Sequence, residues 1–401
     1  MTVAPGLRRL RLDGGLTGFN QVLSLLLSSR ERVSASGKKV VAKWAFLPVE
    51  PIFAAGALPY DPHIGEGLRH VIFEEDTSSI NYAVESGLPP DFCPWNLSMV
   101  GSLTKGENVV PIDLFVVACG CWCDSMSKSW HLASQKLGRP FHYFDVPRFD
   151  ADIEERAVDY LVAELRSLFR WLEDNLGKEV SDAALKEGIR STNRLRQTMA
   201  DLTDLLQADG VAVPALEYYL LQMTMSDCLE APDALNQALQ VLLQESKDRL
   251  RAGTSASRRE HPLRVYYSGV ETQELSLFNT IEDSGGALVG CDTYLPLFRG
   301  LVPVNGSPVE ALAEWIWRTP YNFPTPERIR AIIPHLKKQK AECVIINNAT
   351  GCRYFTETSR LAKDLIREEL GLPVLTVETS LPGENVELTE SRIKAFIGTY
   401  S

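Results

Sequence analysis

The sequence predicts an α/β protein with two doubly wound parallel sheets and a helical segment between them. Short apolar runs rich in β-branched residues alternate with helical patterns near both ends of the chain, whereas the middle of the chain is helical throughout. The length of 401 residues exceeds what one hydrophobic core usually supports. We therefore expect an N-terminal helical segment over 1–37, a first α/β domain over 38–149, a helical segment over 150–258 and a second α/β domain over 259–401.

The first α/β domain is predicted from a strand that ends at Pro48 and from two later apolar runs. The run "DLFVVACG" is continuously apolar, which is typical of a strand buried on both faces of a parallel sheet. Pro147 stops the last of these strands. The predicted elements are a helix over 16–36, a strand over 38–48, a helix and turn over 48–60, and strands over 113–120 and 139–147.

The middle segment and the second α/β domain differ in their apolar period. Between 150 and 258, apolar residues recur at helical spacing among many charges, which is the pattern of amphipathic helices. After 259, strands and helices alternate at lengths that fit right-handed βαβ units of a flavodoxin-like sheet, where ligands bind at the carboxyl ends of the strands. The predicted strands cover 263–269, 287–292, 341–348 and 373–379, and the predicted helices cover 274–286, 325–338, 357–370 and 391–398.

The composition excludes several classes of protein. A net charge of -11 and a pI near 5.2 argue against nucleic-acid binding, because phosphate binding needs a basic surface. No apolar stretch reaches the roughly 18 residues of a membrane-spanning helix, and the short run "VLSLLL" lacks the length and cleavage site of a signal peptide. We therefore expect a cytoplasmic protein without nucleic-acid or membrane partners, whose eight cysteines stay reduced.

Three cysteines far apart in sequence are predicted to lie in loops at the ligand-binding edges of the two sheets. Cys123 follows the strand over 113–118, Cys352 follows the strand "CVIINN", and Cys93 lies in a loop before an apparent helix. These loops could converge between the two domains. Three thiolates at one point suit a soft metal site, most simply a cubane iron–sulfur cluster with one iron open to another ligand.

Other interpretations of the cysteines stay open at this point. Cysteine is often buried as a small hydrophobic residue, and this interpretation is the one we adopt for Cys228, Cys291 and Cys343, which lie within or directly after helix and strand patterns. The same interpretation is an alternative for the three loop cysteines. Zinc is another alternative for the Cys-x-Cys-x-Cys run over 119–123, although its spacing differs from that of zinc knuckles.

Several short segments, in order, resemble one known family. They are "FLPVEPIFAAGALP", "CPWNLSMVGSL", "CDSM" after an apolar strand, "RVYYSGVE" with "IEDSGGALVGCD", and "ATGCRY" with "LGLPVLTVETS" and "SRIKAF". No single segment is specific, but their order and spacing together are. From about Lys38 to Ile397, the chain resembles the subunits of the 2-hydroxyacyl-CoA dehydratase and benzoyl-CoA reductase family.

The resemblance implies a cofactor and its ligands. Subunits of this family hold a [4Fe-4S] cluster through three cysteines from separate segments, and those positions correspond to Cys93, Cys123 and Cys352. Cys119 and Cys121 would then be neighbours of the cluster. The register rests on the "CD" pair, so Cys121 is the second choice for the middle ligand.

The resemblance also implies a reaction and partners. The first hypothesis is a catalytic subunit that dehydrates a 2-hydroxyacyl-CoA through a ketyl radical. The alternatives are a subunit of a benzoyl-CoA-type aromatic ring reductase, an accessory electron-transfer subunit, and a bare α/β scaffold with structural cysteines. The chain lacks a phosphate-binding glycine motif, so the family's separate ATP-hydrolysing activator protein is expected to deliver the electron. A second homologous subunit is expected to complete the cleft for the acyl-CoA.

One acidic residue is a candidate for proton transfer. Glu50 stands beside the first predicted α/β turn, where it could transfer a proton or contact the residues that hold the cluster. An acidic residue at the start of a helix is also a common partner of the helix dipole, and this alternative stays open.

Overall fold

The computed structural model describes the whole chain apart from residues 1–5, 7, 9, 14, 45, 107–108, 121–122, 258, 296–299, 382 and 401, and it leaves out the side chain of Cys228. The fold contains two four-stranded sheets, and every strand pair in them is parallel. The first sheet consists of β1 (Val40–Lys43), β2 (Leu58–Tyr60), β3 (Leu114–Gly120) and β4 (Phe141–Val146). The second consists of β5 (Leu263–Gly269), β6 (Gly286–Cys291), β7 (Cys343–Ala349) and β8 (Val374–Thr379).

The strand order is the same in both sheets. It is β2-β1-β3-β4 in the first and β6-β5-β7-β8 in the second. In each sheet the second strand lies on one side of the first strand, and the third and fourth strands lie on the other side. This is the doubly wound arrangement of flavodoxin-like folds. This order places a topological switch point between β1 and β3, and another between β5 and β7. The predicted fold class of two doubly wound α/β sheets is confirmed.

Helices cover the sheets and fill the middle of the chain. The α-helices of the first half are α1 (Thr17–Ala35), α2 (Glu50–Ala54), α3 (Pro62–Glu66), α4 (Ser78–Glu85), α5 (Pro94–Lys105) and α6 (Asp124–Leu137), and a π-helix spans Gly67–Phe73. The middle contains α7 (Glu154–Leu176), α8 (Asp182–Leu205), α9 (Ala215–Thr224) and α10 (Pro232–Arg251). The remaining helices are α11 (Ser276–Asp283), α12 (Pro308–Trp317), α13 (Thr325–Lys338), α14 (Arg353–Thr356), α15 (Ser359–Leu370) and α16 (Val386–Tyr400).

The N-terminal helix packs against the helical middle of the chain. The carboxylate of Glu245 on α10 accepts hydrogen bonds from the backbone N–H groups of Thr17 and Gly18 at the start of α1. A Cβ atom at Gly18 would lie 2.2 Å from the backbone nitrogen of Leu242, so only glycine permits this approach. The first helix is thus part of the same helical layer as α10. The predicted domain boundaries stay predictions.

Several elements differ from the sequence prediction. The segment predicted as a helix and turn also contains β2, whose three residues are too few to show a strand pattern but pair with β1, as in Val40 with Leu58. Helices α4 and α12 were not predicted. None of the helices in the described part of the chain combines the length and apolar composition needed to cross a membrane.

Candidate functional site

Three cysteines occupy the same kind of position in three separate segments. Each of them is the N-cap residue of a helix. Cys93 caps α5, Cys123 caps α6 after β3, and Cys352 caps α14 after β7. Because β3 and β7 end at the carboxyl edges of their sheets, these loops face each other between the sheets. All three cysteines line one cavity of about 50 Å³.

A glycine brings two of the cysteine loops into backbone contact. Gly351 has a φ of +75°, a conformation that glycine adopts at low cost. A Cβ atom there would lie 2.7 Å from the carbonyl oxygen of Asp91 and 2.8 Å from the backbone nitrogen of Cys93. The loop that carries Cys352 therefore rests directly on the loop that carries Cys93.

The three thiols are shielded from water, which opposes their ionisation. Burial raises the pKa of Cys123 to about 11 and that of Cys352 to about 12. Burial also raises the pKa of Cys93, and so do the neighbouring thiols of Cys352 and Cys123. Three thiolates at this point would repel each other strongly. A cation that binds them would displace their protons and remove this repulsion.

Backbone N–H groups lower the pKa of the same three thiols and so oppose the effect of burial. The N–H groups of Trp95 and Asn96 lower the pKa of Cys93. Those of Ser125 and Met126 act in the same way on Cys123, and those of Phe355 and Thr356 on Cys352. None of the three side chains forms a full capping hydrogen bond. The sulfurs therefore lie near groups that favour an anion and keep their lone pairs available.

The walls of the cavity are mainly aromatic. Trp44, Trp95, Tyr321, Tyr354 and Phe355 all line it. The rings of Tyr321 and Tyr354 are stacked with centroids 5.9 Å apart, and the Tyr354 hydroxyl donates a hydrogen bond to the backbone oxygen of Tyr321. These contacts hold the rings in place. The walls keep water from the thiols.

Three polar side chains among the aromatic walls could act on a ligand. Asn96 accepts a hydrogen bond from Ser129 through Oδ1, at 3.0 Å, whereas its buried Nδ2 has no partner among the described residues. Burial raises the pKa of Glu271 to about 7, and the Tyr294 hydroxyl offsets part of this effect. Burial lowers the pKa of His63 to about 3, so its ring is neutral. The cavity thus offers an unused amide donor and a carboxyl group that can change protonation near neutral pH.

These polar residues were not identified from the sequence. Glu271 stands two residues after β5, at the carboxyl end of a strand, and this position was the signal that could have identified it. Asn96 offered no such signal, because its unpaired donor depends on the packing of α5 against α6. The bond from Ser129 on α6 to Asn96 spans 33 residues.

Glu50 does not lie with the cysteines. It is not among the residues that line the cavity, and its Oε1 accepts hydrogen bonds from Thr192 at 2.6 Å and Arg196 at 2.8 Å, both on α8. Burial opposes ionisation of this carboxyl, but Arg196 and Thr192 hold its pKa below the ordinary value. Glu50 is thus an ion-pair partner in this structure. A role in proton transfer stays a prediction without a contact to support it.

The remaining cysteines lie outside the cavity or outside the described residues. Cys119 contacts Asp145, with 3.6 Å between its sulfur and Oδ1, and does not line the cavity. Cys291 and Cys343 are buried in β6 and β7, as expected of structural cysteines. Cys121 and the side chain of Cys228 lie outside the described residues.

Comparison with known proteins identifies related proteins. The pattern of the family described as 2-hydroxyglutaryl-CoA dehydratase, D-component, matches residues 44–399. The chain is 30% identical over 286 residues to a benzoyl-CoA reductase subunit of Thauera aromatica, with 69% of this chain and 67% of that protein covered. It is 23% identical over 391 residues to YjiM of Escherichia coli (strain K12), provisionally named a dehydratase subunit, with 95% and 94% covered. Identity to the alpha subunit of (R)-2-hydroxyglutaryl-CoA dehydratase of Acidaminococcus fermentans is 19% over 272 residues, with 67% and 55% covered.

Proposed function

Since the chain belongs to the 2-hydroxyglutaryl-CoA dehydratase D-component family, we propose that it is a cytoplasmic, cluster-bearing catalytic subunit that dehydrates a 2-hydroxyacyl-CoA. The observation that carries this proposal is the convergence of Cys93, Cys123 and Cys352 on one aromatic cavity. Loss of water from such a substrate requires removal of a β-proton that is scarcely acidic. Acid–base side chains alone are poorly suited to that step.

The residues of the cavity fit a [4Fe-4S] cluster held by the three cysteines. Their sulfurs are unpaired, and thiolates are the usual ligands of such clusters. Within the described ranges, no three His, Cys, Asp or Glu side chains are arranged to bind a single metal ion. When bound, the cluster supplies a low-potential electron and a Lewis acid.

The side chains of the cavity would orient the substrate and move its proton. The free N–H of Asn96 can donate to a thioester carbonyl oxygen. The Glu271 carboxylate can accept the β-proton, since its pKa near 7 leaves much of it ionised at neutral pH. The tyrosine and tryptophan rings would exclude water from the site. Glu271 thus takes the role that the sequence suggested for Glu50.

Reduction of an aromatic ring is a second candidate function. The benzoyl-CoA reductase relative from Thauera aromatica is 30% identical to the chain, a higher identity than that of the two dehydratase relatives from Escherichia coli and Acidaminococcus fermentans. Both reactions begin with one electron added to an acyl-CoA thioester. Turnover of a 2-hydroxyacyl-CoA and of benzoyl-CoA, measured side by side, decides between them. An accessory electron-transfer subunit would turn over neither substrate without a partner that binds it.

We expect the chain to act with partners. All three of these relatives are named as subunits, two of dehydratases and one of a benzoyl-CoA reductase. The cavity of about 50 Å³ is far smaller than the several hundred Å³ of pockets that enclose drug-sized ligands, so most of a CoA thioester would lie outside it. A second homologous subunit would cover that part. An ATP-hydrolysing activator protein would deliver the electron.

Anaerobic turnover tests the proposed function. The iron-loaded chain is mixed with its homologous subunit, the activator protein, ATP and a 2-hydroxyacyl-CoA, and the unsaturated product is measured. We expect product only when all components are present. Full turnover without ATP or without a second subunit would refute the proposed arrangement, and no turnover of either acyl-CoA class with all components present would refute the proposed activity.

A further inference from the structure

A cluster of charged side chains lies buried beside the cysteine cavity. Lys43 ends β1, Asp61 follows β2, and Ser226 and Asp227 follow α9, and all four are at most 2% exposed. The Lys43 Nζ lies 3.4 Å from Ser226 Oγ and 4.0 Å from Asp61 Oδ2, and the Ser226 hydroxyl donates to Asp61. We call Lys43, Asp61, Ser226 and Asp227 the buried aspartate cluster.

The buried aspartate cluster contains two carboxyl groups and one ammonium group. Asp227 Oδ1 has no hydrogen-bond partner among the described residues. Burial raises the pKa of Asp227, and Glu230 and Asp61 raise it further. Burial also raises the pKa of Asp61, although Lys43 opposes this effect. A proton on Asp227, whose Oδ1 has no partner, would balance the charge, because an unpaired carboxylate is costly in a buried site.

The arginine side chains near the cluster form ion pairs or hydrogen bonds with groups outside it. Arg32 on α1 pairs with Glu230, and Arg196 on α8 pairs with Glu50. Arg69 of the π-helix donates to the backbone oxygen of Leu27 and to Ser29. The titratable and charged groups that act on the cluster from neighbouring elements are Glu50, Tyr60, Arg69, Glu230, Glu271 and Tyr294. Lys43 is therefore the counter-charge in contact with Asp61, whereas Arg69 and Lys43 both favour the charged form of Asp227.

The buried aspartate cluster is coupled to the cavity through two short connections. Trp44 follows Lys43 directly and lines the cavity. The Asp61 Oδ1 accepts a hydrogen bond of 3.1 Å from the backbone N–H of His63, whose ring also lines the cavity. The charge of Asp61 further raises the pKa of Glu271. A negative charge added to the cavity would therefore act on Asp61.

We propose that the buried aspartate cluster accepts a proton when an electron enters the cavity, a proposal that rests on the function proposed above. One electron comes from the external one-electron donor, and one proton comes from solvent. An O–H bond forms on the Asp61 carboxylate as one O–H bond of a solvent hydronium ion breaks and leaves water, and the electron would be taken up by the cofactor that Cys93, Cys123 and Cys352 would hold. The proton compensates the added negative charge in a buried site, where charge is poorly screened. Asp227 already carries a proton in the oxidised state.

Infrared spectroscopy of the metal-free protein tests the protonation of Asp227 without relying on the proposed function. We expect a carboxylic acid C=O band at neutral pH that shifts in D₂O, disappears in Asp227→Asn and persists in Asp233→Asn, where the aspartate is 84% exposed. Labelling of all aspartates with ¹³C should shift the same band in the unmutated protein, even if the variant fails to fold. An unshifted band in the labelled protein would overturn the assignment.

The reduction potential of the iron-loaded protein tests the coupling to the cavity. In the unmutated protein and in Asp233→Asn, we expect the reduction potential to fall as the pH rises, with the slope that uptake of one proton per electron gives. In Asp61→Asn the reduction potential should no longer depend on pH. A pH-independent potential in the unmutated protein, or an unchanged slope in Asp61→Asn, would overturn the proposal. Failure to bind iron would instead refute the proposed function, and the infrared test would still decide the protonation of Asp227.

Discussion

Replacement of Glu50 by glutamine distinguishes an ion-pair role from a catalytic one. The side chains of Glu50 and Arg196 are 0% and 5% exposed, and 2.8 Å separates Oε1 from Nη2. Glutamine keeps the shape of the side chain but removes the negative charge that faces the guanidinium. Removing one partner of a buried ion pair costs about 3–5 kcal/mol of unfolding free energy, and we expect a loss of this size.

The assay is chemical unfolding followed by circular dichroism, with an exposed ion pair as the control. Glu187 and Arg190 lie 3.0 Å apart with side chains 68% and 52% exposed, so Glu187→Gln should change the unfolding free energy by less than about 1 kcal/mol. The double variant Glu50→Gln with Arg196→Met should recover part of the loss, because it removes both charges. Recovery would assign the effect to the pair.

The pH dependence of the unfolding free energy is a second test of the ion pair between Glu50 and Arg196. Because the folded state holds the pKa of Glu50 below its ordinary value, the pair stabilises the protein fully at neutral pH. This contribution is lost as the pH falls through the folded pKa, so the difference from Glu50→Gln should shrink in acid. A variant as stable as Glu187→Gln at neutral pH would refute the ion-pair account. Normal stability together with lost turnover would instead support proton transfer by Glu50.

Three further substitutions test the cavity. The Gly351→Ala variant should bind much less iron, because the new Cβ collides with the Cys93 loop. The control is Gly371→Ala, where φ is similar at +68° and no atom lies nearby, and this variant should keep its iron. Equal iron content in the two variants would contradict the predicted effect of the contact between the two loops. Glu271→Gln should retain iron but lose the rise in turnover that we expect as the pH increases through about 7; an unchanged profile would exclude Glu271 as the base. Asn96→Leu should lower turnover at normal iron content, and unaltered turnover would exclude its amide as a donor.

The fold was predictable from the sequence because its central strands are continuous apolar runs. β3 and β7 are almost entirely buried, so almost every residue in them is apolar and the strand pattern is strong. β2 has only three residues and depends on pairing with β1, so its own sequence could not reveal it. The N-terminal helix was predicted over 16–36 and spans Thr17–Ala35, but its packing on residues more than two hundred positions away could not be predicted from its own sequence.

The site was predictable only in part. Cys123 and Cys352 follow strong strands, so their positions at the carboxyl edges of the two sheets followed from topology. Their role as ligands stays a prediction. The roles of Glu50 and Glu271 could not be distinguished from the sequence, because the partner of Glu50 lies 146 residues away and the pKa of Glu271 depends on burial. Single-sequence patterns contain neither contact.

Iron and sulfide content after anaerobic reconstitution tests the central claim most directly. We expect an oxygen-sensitive brown protein with bound iron and sulfide, and we expect Cys93→Ala, Cys123→Ala and Cys352→Ala each to lose them. Cys343→Ala, which removes a buried thiol of β7, should keep them. Loss in Cys121→Ala but not in Cys123→Ala would move the middle ligand to Cys121. A colourless protein without iron, or full iron content in Cys93→Ala or Cys352→Ala, would contradict the account.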